Sequence, residues 1–343
     1  MTRLTKIVAA GIAALAIGGA ASSALAEESG SFENRLSGAT IGLPLGALPP
    51  AGLYTGLETA YLGMPQSVAS SGTFLPGGVR LSLPAIANAI PLLYVPGWNF
   101  LGATYALSVV QAFYVNTSCI ASGCSGAGFF SGGANQIGGG GFVTANTTWS
   151  PIILSWNLGG GFFASTGFTF MAPDGTRSSP GQVTPNPDYW TLELPFALSY
   201  LSANWNITGN FFYDFNTKTQ GNCCSGALGT GVTSGQILFG DLHALYKLGK
   251  WSFGPVGSFQ VQTTNDTGCS AAAAALGVCN RFGYAQIGGL VGYDFGPVDL
   301  QIWAVDAVAS QNAAGGVGTI EVYTRLGFRL WGPEAPKPLV AKN

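Results

Sequence analysis

The chain has 343 residues, of which 13 are Lys or Arg and 15 are Asp or Glu, so only 8% are charged while 47% are hydrophobic. A soluble domain carries about 25% charged residues, and a nucleic-acid binder needs a basic patch; this chain, at a net charge of −2, has neither. No apolar run after residue 26 is long enough to span a bilayer as a helix, which takes about 18 residues or more.

The first element is a secretory signal over residues 1–26. Arg3 and Lys6 precede an apolar stretch from Ile7 to Ala21, and Ala24-Leu25-Ala26 supplies a small-x-small cleavage pattern before Glu27-Glu28. Its removal after Ala26 leaves 11 basic against 15 acidic residues, a charge of −4. Residues 27–52 follow, with Gly38, Gly42, Pro44, Gly46, Pro49 and Pro50 too close together for a strand throughout. They form either a periplasmic leader or a piece folded into a lumen.

From residue 53 to 331 the pattern has period two. Leu192, Leu194, Phe196, Leu198 and Tyr200 oppose Thr191, Glu193, Pro195, Ala197 and Ser199. Trp205, Ile207, Phe211, Tyr213 and Phe215 oppose Asn206, Thr208, Asn210, Phe212 and Asp214. Near the C-terminus Ile320, Val322, Thr324, Leu326, Phe328 and Leu330 oppose Glu321, Tyr323, Arg325, Gly327 and Arg329. A hydrophobic chain without spanning helices satisfies its backbone in lipid only as a closed barrel. This period predicts an all-β fold, an antiparallel transmembrane β-barrel of about 12 strands. The strands are placed at 53–62, 88–96, 98–115, 141–156, 160–172, 189–202, 204–216, 235–247, 251–264, 282–295, 298–310 and 318–331. Pro91 calls for an edge, a bulge or a strand start.

Between them short turns alternate with long connections, which predicts short periplasmic turns and long extracellular loops. Trp98, Trp156, Trp205, Trp251 and Trp331 all lie beside the short turns or the end of the last strand, as an interfacial aromatic girdle requires. A tail follows over residues 332–343. The predicted location is the Gram-negative outer membrane, with its lipids as the surroundings and no oligomeric state specified.

All six cysteines fall on long loops, and an oxidising compartment favours disulfides among Cys119, Cys124, Cys223, Cys224, Cys269 and Cys279. Closure within a loop, Cys119 with Cys124 and Cys269 with Cys279, moves the chain least. Adjacent Cys223 and Cys224 form a strained ring, bridge other loops or stay free. With one histidine and no CxxC motif, no metal site or other cofactor is expected. The inward charged set is Glu58, Glu193, Asp214, Asp241, Lys247, Asp294, Asp299, Glu321, Arg325 and Arg329, with His243 on the same face as Asp241 and Lys247. Its mixed signs suggest internal ion pairs or a charged constriction rather than one-sign ion selectivity. An enzyme is not expected, since nothing marks a nucleophile for His243 to serve.

Several segments carry a resemblance. They are Ser37-Gly38-Ala39-Thr40-Ile41-Gly42-Leu43-Pro44 leading to Gly52-Leu53-Tyr54, then Tyr94-Val95-Pro96-Gly97-Trp98 and Leu154-Ser155-Trp156-Asn157-Leu158-Gly159, then Ala172-Pro173-Asp174-Gly175 and the hairpin 189–217. The sequence resembles the phenol-degradation meta-pathway (MetA-type, SphA-like) family of proteobacterial outer-membrane proteins. The resemblance implies an outer-membrane barrel associated with degradation of aromatic compounds. It points to a channel for small hydrophobic compounds, aromatics among them, and brings no catalytic residues. The competing expectation is a structural or partner-binding barrel with disulfide-tied surface loops and no open pore.

Overall fold

A computed structural model describes residues 34–62, 74–75, 79–82, 85–115, 119–120, 142–176, 187–220, 232–268, 281–311 and 320–333. The signal sequence and the C-terminal tail beyond residue 333 lie outside these residues, as do most of the long loops.

Twelve strands form the wall. They are β1 (Gly52–Leu62), β2 (Ala85–Val95), β3 (Ala103–Val115), β4 (Thr147–Gly159), β5 (Phe162–Ala172) and β6 (Thr191–Leu201), followed by β7 (Trp205–Asn216), β8 (Ile237–Leu248), β9 (Trp251–Gln262), β10 (Gly283–Asp294), β11 (Val298–Gln311) and β12 (Ile320–Trp331). Each pairs antiparallel with its neighbours in sequence, and β12 pairs with β1, so the sheet closes and leaves no edge. Three short strands, Phe74–Leu75, Val79–Ser82 and Cys119–Ile120, make a small separate sheet from the loops that leave β1 and β3.

Alternation decides which way each side chain points. On β6, Leu192, Leu194, Phe196 and Leu198 are exposed while Thr191, Glu193, Ala197 and Ser199 are buried. The same inside-out arrangement recurs on β7 and β12. An exterior this rich in Leu, Ile and Phe suits hydrocarbon rather than water, which is how a barrel wall sits in lipid. Phe196 stands at the middle of β6, so Phe196→Arg is expected to cost about 2–4 kcal/mol, read as a lower midpoint in denaturant unfolding from lipid vesicles.

Tryptophans mark both rims. Trp98, Trp205, Trp251 and Trp331 are exposed at the short-turn end, where the half-buried Trp156 donates to the Leu101 carbonyl at 3.1 Å. Trp149 and Trp190 are exposed at the opposite end, Trp190 beside Phe170. The spacing of tryptophans beside the short turns predicts only the first of these girdles.

Three boundaries differ from the expectation. The stretch 98–115 is a hairpin, not one strand: Asn99 and Phe100 fold back onto Thr104 and Ala103 through a turn with φ of 51° at Leu101 and 77° at Gly102. Two consecutive positive φ values define the hairpin turn whose twist matches paired strands, and a leucine rarely occupies that position. The stretch 141–156 divides into Phe142–Thr144 and β4, which continues to Gly159 before the turn at Gly160 and Gly161. Pro91 lies inside β2 rather than at its start. It still pairs with Val110 of β3, but the ladder to β1 skips Gly56 and Leu57, as a residue without an N–H requires. The Thr55 hydroxyl compensates in part by donating to the Pro91 carbonyl at 2.7 Å.

Candidate functional site within the barrel

The inward positions of β6, β7 and β8 carry Glu193 and Ser199, Asn206, Thr208, Asn210 and Asp214, and Asp241 and His243, all buried. They are buried because residues 34–51 lie against them. Sequence reading allowed this segment a place outside or inside the barrel; its hydrogen bonds run to inward-facing side chains.

The segment is a chain of tight turns, each closed by an i to i+3 bond. The amide of Ala39 donates to Leu36, Ile41 to Gly38, Leu43 to Thr40 and Ala47 to Pro44, over 2.8–3.3 Å. Gly38 and Gly42, with φ of 85° and 84°, occupy the third positions of the turns 36–39 and 40–43, where a positive φ makes a type II turn. Turns of this kind leave many backbone groups unused, and the wall side chains take them up.

Asp241 is the most heavily used anchor. Its carboxylate accepts from the amide of Gly38 at 2.8 Å and from the amide and hydroxyl of Thr40 at 2.9 and 2.6 Å. Next along β8, His243 Nδ1 accepts from the Gly42 amide at 3.1 Å, which puts the ring proton on Nε2 in the neutral form. Asn210 donates to the carbonyls of Thr40 and Leu43, and Asn206 to that of Gly42. Residues 45–48 are held by serines: Ser199 accepts from the Gly46 amide, Ser155 accepts from the Leu48 amide and donates to the Gly46 carbonyl, and Ser165 donates to the Leu45 carbonyl.

Two arginines tie the arrangement together. Arg325 on β12 donates to Glu58 through Nε and Nη2 at 2.9 and 2.7 Å, to the Ile41 carbonyl at 2.6 Å and to the Ala39 carbonyl. Arg35, from the segment itself, forks onto both oxygens of Glu193, with its Nη2 at 2.7 Å, and lies 3.6 Å above the centre of the Phe212 ring. Such paired donors fix orientation as well as position. Asp214 stands opposite Glu193 across β6 and β7, with one oxygen unpartnered among the described residues.

Beside this polar network the interior holds an apolar cluster. It includes Ile41, Leu245, Leu290, Trp303, Val305 and Tyr323, with Leu36 packed against it.

The charged set expected from sequence therefore separates into two tiers. Glu58, Glu193, Asp241, His243 and Arg325 meet on the internal segment, with Asp214 alongside and Glu321 accepting from the Tyr323 hydroxyl at 2.7 Å. The other four lie near the short-turn end. Asp294 is exposed and caps the Gly296 amide at 2.6 Å, so it is a turn residue and not part of a constriction. Arg329 is exposed and donates to the Ala51 carbonyl at 2.6 Å, Asp299 stands opposite Asp294, and the backbone amide of Lys247 donates to Asn204 of the adjacent turn. Strand parity gives direction but not depth, so the alternation alone does not separate these two tiers.

Two residues in the site had escaped notice. Trp303 has the same parity as Asp299 and Gln301, a signal that was present and unused. Arg35 lies in a stretch without periodicity, where no face can be read. The expected disulfide pairings fall outside the described residues; Cys119 is described only as backbone in its short strand, and Cys124, Cys223, Cys224, Cys269 and Cys279 not at all.

Residues 66–320 match the family model described as "Putative MetA-pathway of phenol degradation". Among curated proteins no sequence matches the chain. Among solved structures, the COG4313 outer membrane channel from Pseudomonas putida F1 superposes with a TM-score of 0.62 at 13% identity, over 82% of this chain and 96% of that one. The Ralstonia pickettii toluene transporter TbuX aligns at a TM-score of 0.39 and 12% identity, over 85% and 92% of the two chains. The P. putida toluene transporter TodX gives 0.39 and 12%, over 85% and 94%. The first of these has the same fold, an outer-membrane barrel.

Proposed function

The chain belongs to the phenol-degradation family whose model it matches over residues 66–320, and from that premise we propose that it is an outer-membrane channel for small hydrophobic compounds, aromatics among them. It passes solutes toward the cell interior for degradation and performs no chemistry on them. The observation that carries this reading is the apolar cluster inside the barrel. A water-filled pore is polar throughout its interior, whereas here Trp303, Tyr323, Leu290, Ile41 and Leu36 form an apolar patch within the wall. Such a patch gives a poorly soluble molecule favourable contact as it leaves water. The match to a family named for phenol degradation and the shared fold with a channel support the same role.

In this reading residues 34–51 are a plug, hung across the lumen between Glu193, Asp241 and His243 on β6 and β8 and Arg325 on β12. The density of those anchors also favours the second reading, a closed barrel whose loops bind a partner. Uptake of labelled phenol into liposomes carrying the refolded protein separates the two. The channel reading expects saturable uptake above that of empty liposomes. A folded barrel that admits no aromatic solute leaves the closed-barrel reading standing.

A further inference from the structure

The two ends of the internal segment lie at opposite rims of the barrel. Asn34 donates to the Thr191 hydroxyl at 2.6 Å and accepts from Asn146 at 2.8 Å, beside the long loops that precede β6 and β4. At the other end Arg329 donates to the Ala51 carbonyl, and Gly52 begins β1 beside the short turns. The segment is therefore tethered at the periplasmic end, and residues 34 and 35 are the part nearest the outer mouth.

Arg35 sits there in a seat built by the wall. Glu193 of β6 and Asp214 of β7 stand directly opposite each other, two residues in from the strand ends at Thr191 and Asn216, a depth of about 7 Å. Both carboxylates and the Phe212 ring are buried. The Arg35 guanidinium forks onto the two Glu193 oxygens and covers the Phe212 ring, 3.6 Å from its centre. Asp214 interacts electrostatically with both Glu193 and Arg35. Yet one Asp214 oxygen has no donor among the described residues, in a residue only 2% exposed. Such an idle buried acceptor is rare and marks a place where a donor is missing.

One carboxylate neutralises Arg35, and the second leaves the seat acidic even when it is filled. Without Arg35 the two carboxylates would face each other inside the barrel, which is costly until another cation takes its place. Shape decides which cation fits. A guanidinium is planar, matches a carboxylate with two parallel N–H groups and is weakly enough hydrated to lie on a ring, whereas an ammonium is a compact, strongly hydrated point charge. A free guanidinium, not held by a backbone, can also turn an N–H toward the idle Asp214 oxygen. Access is available from the Arg35 side, where 13% of the side chain is exposed against 1% of Glu193.

We propose that Glu193, Asp214 and Phe212 form a guanidinium-binding site at the outer mouth of the barrel, which Arg35 occupies as an internal ligand. A solute bearing a guanidinium group displaces Arg35 and releases the leading end of the segment. Tethering gives Arg35 a high effective concentration, so the competing solute acts only when abundant. The site is separate from the apolar cluster and does not rest on the channel reading, because binding is measured without transport.

The test is equilibrium dialysis of labelled methylguanidinium and methylammonium against the full barrel in detergent, with folding of each variant verified by heat-modifiable migration on gels. Arg35→Ala vacates the seat and is expected to bind one methylguanidinium per barrel, about tenfold or more tighter than wild type, in which Arg35 competes. Methylammonium should bind the same variant about tenfold more weakly, the loss of one charge-assisted hydrogen bond. Adding Glu193→Gln to Arg35→Ala should abolish the preference, and adding Asp214→Asn should weaken methylguanidinium binding several-fold. In wild type, high methylguanidinium is expected to expose the chain beside Leu36 to chymotrypsin, while methylammonium at equal ionic strength does not. A folded Arg35→Ala barrel that binds methylguanidinium no better than wild type, or no better than methylammonium, overturns the site. Wild-type cleavage that is the same with and without methylguanidinium overturns the displacement.

Discussion

Replacing Arg325 by methionine is expected to destabilise the barrel by about 3–5 kcal/mol, the usual cost of removing one partner of a buried ion pair. Methionine keeps much of the side-chain length, so the loss is one of charge and donors rather than of volume. The Glu58 carboxylate, which has only 13% of its side chain exposed, would lose both of its bonds to the guanidinium. The carbonyls of Ile41 and Ala39 and the Gln301 side chain would lose a donor at the same time. Urea unfolding in vesicles measures the effect. The paired variant Arg325→Met with Glu58→Gln should recover part of the loss, because no uncompensated charge is then left inside. If Arg325→Met unfolds at the wild-type midpoint, the pair and its contacts to the segment do not hold the interior together.

Asp241→Ala should act on the segment and leave the wall intact. Three donors of residues 38–40 lose their acceptor in one change. A hydrogen bond to a charged group contributes about 1.5–3 kcal/mol, so loss of even one such bond shifts the balance between docked and undocked segment by about 10- to 100-fold. The expected results are faster uptake of small aromatics, a larger single-channel conductance and a new protease-sensitive site within residues 34–51. Asp241→Asn keeps the shape and one acceptor oxygen and should lie between the two. The strand ladder of Asp241, to Asn210 on β7 and Ser258 on β9, does not involve its side chain, so global unfolding should move little.

The wall was largely legible from the chain, because each strand needs only a period of two to declare its faces. Leu192 to Tyr200, the outward set from Trp205 to Phe215 and the final strand all point as their alternation requires. Where the reading slipped, backbone geometry overrode pattern. The hairpin at Leu101-Gly102 hid within an apolar run because leucine rarely takes positive φ, and Pro91 is tolerated inside β2 because only one of its two ladders is interrupted.

The interior was legible only in part. Parity turned Asp241, His243, Glu193 and Arg325 inward, but their partners lie in residues 35–42, up to 286 positions away in sequence. Nothing local to β8 indicates that the Asp241 carboxylate receives the amides of Gly38 and Thr40. The segment itself has no repeating face; its order comes from type II turns at Gly38 and Gly42 and from bonds to distant side chains. Depth was equally hidden, so Asp294 and Arg329 were grouped with residues that meet the segment when they belong to the short-turn rim.

The most direct measurement compares uptake of labelled phenol by liposomes carrying wild-type protein, liposomes carrying a barrel that lacks residues 34–48, and empty liposomes. A hydrophobic solute route partly filled by an internal segment predicts saturable uptake by wild type and faster, less selective uptake after the deletion. Uptake by neither folded barrel above the empty-liposome rate, or identical uptake by both, would contradict it.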